Sequence, residues 1–130
     1  MSSLNEPAMF SLSDANRFFL YPFPTDMRKS FDSLSGIVRN QMGMNVMEGD
    51  AFIFVNRFCT CMKVLHMECG GLVIYNLRLE RGSIELPDLA EDDRRTAIET
   101  RWNQLVMMVG GLRTSDYRQR KRWSPPARSL

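Results

Sequence analysis

The chain has 130 residues, 44% of them apolar and 25% charged, enough for one domain with one hydrophobic core and short for two. No apolar run approaches the ~18 residues of a membrane span and no basic segment leads into an apolar one at the start, so a cytoplasmic protein with no membrane contact is expected. The net charge of +2 hides an asymmetry: residues 1–112 hold 11 basic and 14 acidic side chains, residues 113–130 hold 6 and 1, and the strongly basic end makes a polyanionic partner plausible.

Residues 1–8 are polar and low in bulk, and read as a flexible leader to a single domain over 9–111. Residues 17–21, aromatic and aliphatic, predict a short strand stopped by Pro22 and Pro24. Thr25 has the chemistry of an N-cap and Asp26 suits a first helical turn. Met27, Phe31, Leu34, Val38 and Met42 then recur at steps of three and four, which predicts an amphipathic helix over 25–42 ending near Gly43. Its opposite face would carry Arg28, Lys29, Asp32 and Arg39. If Phe31 is buried in that stripe, Phe31→Ala is expected to cost about 3–5 kcal/mol.

Residues 44–48 read as a loop. Residues 51–55, 61–67 and 72–79 are rich in Phe, Ile, Val, Leu and Met and are broken at Asn56-Arg57 and at Cys69-Gly70-Gly71, the pattern of an antiparallel meander. Lys63, Arg78 and Glu80 sit where alternation lets them reach water. A last short strand is expected at 84–86, then an acidic linker or helix start over 88–93. Trp102, Leu105, Val106 and Val109 keep helical spacing, with Thr100 a candidate cap and Gly110-Gly111 the stop. The fold class is therefore α+β: a mainly antiparallel β-α-β-β-β sheet with one amphipathic helix packed on it, a second short helix and a basic tail over 112–130, expected to be disordered in the free protein.

Three ordered blocks of this sequence resemble a known family. They are Asp26-Met27-Arg28-Lys29 with Phe31-Asp32 and Leu34; Gly49-Asp50 with Phe52-Ile53-Phe54 and Asn56-Arg57; and Lys63-Val64-Leu65 through Gly71-Leu72 to Arg78-Leu79-Glu80-Arg81-Gly82. Together they are similar to the small accessory proteins encoded by the second reading frame of IS66-type bacterial insertion sequences, the Orf2-like or TnpB proteins, distinct from the RNA-guided nucleases that share the TnpB label. Ser30 and Ser33 stand where that family usually has glycine, His66-Met67 where tryptophan is usual, and Glu68 where aspartate is usual. The resemblance implies a helper of transposition encoded beside a separate transposase that cuts and joins DNA, with no cofactor and no catalytic mechanism to carry over.

Each candidate site has a plainer competitor. Cys59, Cys61, His66 and Cys69 have zinc-ligand chemistry, but one residue between the first pair is too few for a structural zinc site and His66 should face away from Cys61. Three cysteines without a repeating framework instead predict buried or half-buried thiols outside any disulfide. Asp26, Asp50 and Glu80 are the carboxylates a divalent-metal nuclease would use, against plain roles in a helix start, a turn and a balance for Arg78 and Arg81. Arg28, Lys29, Arg57, Lys63 and Arg78 are candidate phosphate contacts, against a solvated face with ion pairs to Asp26, Asp32, Asp50 and Glu80. In the tail, Arg118, Arg120, Lys121 and Arg122 beside Tyr117 and Trp123 suit phosphate contact with base stacking. The expected function is a non-catalytic accessory protein that binds element DNA, with double-stranded ends as the expected target, or the transposase, or both. The alternatives are a small metal-dependent nuclease and a pure protein-interaction module. Monomer and oligomer are equally compatible with the sequence.

Overall fold

In the computed structural model, which describes residues 12–110, five strands form one sheet: β1 (Phe18–Leu20), β2 (Ala51–Val55), β3 (Cys61–Glu68), β4 (Gly71–Arg78) and β5 (Ile98–Thr100). Their spatial order is β4-β3-β2-β1-β5. The meander β2-β3-β4 is antiparallel, with Ile53 opposite Val64 and Val64 opposite Tyr75. β1 runs parallel to β2, which requires a crossover, and helix α1 (Phe31–Asn40) supplies it. The leader and the basic tail lie outside the described residues, as do Tyr117, Arg118, Arg120, Lys121, Arg122 and Trp123.

All five residues of β2 are buried, because both faces of the sheet are covered. On one face Phe19, Phe52, Phe54 and Leu65 pack with Leu34, Val38 and Met42 of the α1 region. On the other, Phe18, Leu20, Ala51, Ile53, Met62 and Val64 pack with Ile84, and with Leu105 and Met108 of the second helix, α2 (Trp102–Gly110). The α+β class and the meander are as the apolar runs predict.

Several local expectations are corrected. α1 starts at Phe31, not Thr25. The Thr25 N–H donates to the Val55 carbonyl at 2.9 Å, so the chain still runs alongside β2 there. Asp26 then closes a turn by accepting from the Arg28 N–H at 2.9 Å, a local bond that competes with helix. Phe31, at the first helical position, is 43% exposed, so the large cost expected for its truncation does not apply. The far end is as expected: Gly43 takes φ 68°, and the Met44 N–H reaches back to the Val38 carbonyl at 2.9 Å.

Residues 84–86 are not a strand and 88–93 hold no helix; residues 79–89 instead lie over the α2 face of the sheet through Leu79, Ile84, Leu86 and Leu89. The strand that does form late is β5, antiparallel to β1. Thr100 ends it and its hydroxyl donates to the Ile98 carbonyl, so it does not cap α2. Val46–Glu48 forms one turn of 3-10 helix within the expected loop. Gly110 is the last residue of α2, while Gly111 lies outside the described residues.

Candidate nucleic-acid interface

Chain direction decides which side chains meet. β1 and β2 run the same way, so the turn leaving β1, the start of α1, the β2–β3 turn and the end of β4 all fall at one end of the sheet. That end carries all five candidate cations of the domain. Arg28 and Lys29 lie in the turn before α1, Arg57 in the β2–β3 turn, and Arg78 closes β4 opposite Cys61. Lys63 lies opposite Asn76 on the α1 face and its Nζ donates to the Lys29 carbonyl at 2.7 Å, which ties two of these segments together.

The expected neutralisation by neighbouring carboxylates is mostly missing. Arg28 does pair with Asp26, at 2.6 Å, and its guanidinium holds the Asp26 carboxyl well below the usual carboxylate range. Lys29, Arg57 and Arg78 are exposed and in no ion pair among the described residues. Asp50 belongs to a different centre. Nearly buried at the start of β2, it takes two bonds from Arg17, 3.0 and 2.9 Å long, and the Arg17 guanidinium also lies 5.3 Å from the Phe19 ring centre.

The β2–β3 turn that presents Arg57 is held by one side chain. Asn56 Oδ1 accepts from the Thr60 and Cys61 N–H groups at 2.8 and 2.9 Å, and its Nδ2 donates to the Thr60 hydroxyl at 2.9 Å. Cys59 is buried with φ 58°, and its carbonyl accepts from the Ile84 N–H at 2.7 Å. Between these anchors Arg57 and Phe58 point outward, Phe58 57% exposed. Phe58 was not legible as a site residue, because an aromatic beside a strand reads as core.

The nuclease carboxylates do not converge. β2 separates Asp50 from the Asn56 turn by about 17 Å of strand, and Asp26 and Glu80 lie at the far end. The zinc set is spread likewise: Cys59 sits in the β2–β3 turn, Cys69 in the opposite β3–β4 turn, and Cys61 and His66 on opposite faces of β3. Cys69 is exposed, not buried as expected, and none of the three thiols forms a disulfide. His66 serves a buried polar network instead. Its Nδ1 lies 2.9 Å from Glu68 Oε2, and its Nε2 is 3.1 Å from both the Gly49 carbonyl and Asn16 Nδ2. The Tyr75 hydroxyl donates to the same Glu68 oxygen, and burial together with that bond pushes Tyr75 up to about 12.

Fold and site together define a small α+β domain that gathers exposed cations at one end of its sheet. Residues 16–119 match the family model described as IS66 Orf2 like protein, TnpB_IS66, and the chain belongs to that family. Membership associates it with the transposition of insertion sequences. The chain is also similar to "Uncharacterized protein y4hO" of Sinorhizobium fredii (strain NBRC 101917 / NGR234), with 33% identity over 63 residues, or 48% of this chain and 55% of that protein. The matched region thus spans about half the length of that relative. No solved structure matches. Among the described residues no helix is long and apolar enough to cross a membrane.

Proposed function

We propose that this protein is a non-catalytic accessory factor of insertion-sequence transposition that binds element DNA through the cationic end of its sheet and acts beside the transposase. The observation that carries the reading is the placement of Lys29, Arg57 and Arg78, exposed and outside any ion pair among the described residues, next to Arg28 and Lys63. Cations left without carboxylate partners are the ones that can exchange water and counterions for phosphate. The positive end of the α1 dipole faces the same way, which favours a polyanion there. In the tail, Arg118, Arg120, Lys121 and Arg122 supply further cations.

The test is a binding titration of element-end DNA by the full chain at two salt concentrations. Binding that weakens steeply as salt rises, and that weakens further when Lys29, Arg57 and Arg78 are all changed to Ala, is the expected result. No binding even at low salt removes the DNA reading and leaves contact with the transposase as the function.

A further inference from the structure

Resting on that DNA-binding reading, we infer that the cationic end is shaped for DNA with unpaired bases, with Phe58 as the ring on which a base stacks. Four observations carry this. Phe58 keeps more than half of its surface in water, at 57% exposure, although it adjoins a sheet in which Phe52 and Phe54 are fully buried. The ring is presented by a stiff turn: Asn56 binds the backbone of Thr60 and Cys61, and the Cys59 and Thr60 carbonyls accept from Ile84 and Leu79 at 2.7 and 2.9 Å. The ordering cost of a stacking platform is thereby met on folding rather than on binding.

Beside the ring lies an open depression of about 430 Å³, lined by Pro24, Thr25, Asp26, Met27, Asn56, Arg57 and Phe58. Pro24 and Met27 give it apolar walls for a flat ring. Its single carboxylate, Asp26, is held by Arg28 and offers oxygens to the amino groups of a base edge. Phosphates are then left to Arg57, which lines the depression, and to Lys29 and Arg78 at the same end of the sheet. A duplex buries the faces of its bases and gives Phe58 nothing to stack on, whereas a single strand or an opened duplex exposes them.

Fluorescence anisotropy of the full chain separates the possibilities, using labelled oligothymidine of about 16 nucleotides, a matched duplex, and a duplex with a central unpaired bubble. Single strand and bubble are expected to bind more tightly than the duplex. Phe58→Ala should lose about tenfold on the first two and less than twofold on the duplex, while Phe58→Trp retains the preference. Tyr117 and Trp123 are unchanged in every variant, so the difference reports Phe58. Equal affinity for duplex and single strand, or a Phe58→Ala chain that binds single strands as before, overturns this inference. If in that case Arg57→Ala still weakens duplex binding, the DNA-binding reading stands without it; failure to bind any of the three probes overturns both. Circular dichroism of Phe58→Ala should match the parent, since the side chain is mostly in water.

Discussion

His66 and Glu68 are partners in one buried contact. The Glu68 side chain is fully buried and shares Oε2 between His66 Nδ1 and the Tyr75 hydroxyl. Removing the carboxylate strands two buried polar groups, so Glu68→Ala is expected to cost about 3 kcal/mol in urea unfolding. In the His66→Phe background the same change should cost clearly less, and the difference is the coupling between the two residues. Tyr75 adds a pH signature. Its folded value of about 12 lies above the ordinary 10.0, so between those values the native state holds a proton the unfolded chain has lost. The stabilisation is complete below about pH 10 and is lost as pH rises through about 12. Tyr75→Phe should flatten that alkaline limb in thermal melts recorded from pH 9 upward, and an unchanged limb would show that the hydroxyl is not its source.

Among elements, α1 shows what periodicity conveys and what it misses. The spacing of Leu34, Val38 and Met42 identified the buried stripe, and all three are buried. Met27 and Phe31 continue the same arithmetic one turn earlier, but the Asp26 turn holds the chain out of helix until Ser30. Thr25 has the chemistry of a cap, but its pairing with Val55 across the sheet keeps it out of the helix, and Ser30 stands at the start of α1 without a side-chain cap bond. Truncation separates the two geometries: Leu34→Ala is expected to cost about 2–5 kcal/mol and Phe31→Ala under about 1 kcal/mol by urea titration. β2, β3 and β4 were legible because each is a long apolar run with turn residues at its ends. β5 was not, since three residues with Glu99 pointing outward carry no period, and its partner, β1, lies about 80 residues away.

For the whole molecule the arrangement of charge matters more than its sum. A net charge of +2 predicts little attraction to DNA, and the acidic excess of residues 1–112 predicts less. The fold brings cations from four separate segments to one end, while Asp50 is paired with Arg17 at the other end and Glu68 is enclosed by His66 and Tyr75. The meander legible in the sequence already puts Arg57, Lys63 and Arg78 at one end; that Arg28 and Lys29 join them follows from the parallel pairing of β1 with β2, which no sequence pattern conveyed. A matched pair of charge reversals tests position against total. Arg57→Glu with Arg78→Glu changes two cations at the proposed interface; Arg39→Glu with Arg101→Glu changes the net charge equally, with Arg39 in the last turn of α1 and Arg101 after β5. If position governs, the first pair loses at least tenfold in DNA affinity and lowers the slope of log affinity against log salt by about 1 per phosphate contact removed, while the second pair leaves the slope unchanged. Equal losses from both pairs would mean that attraction is to the molecule as a whole, and the cationic end would lose its claim to be the interface.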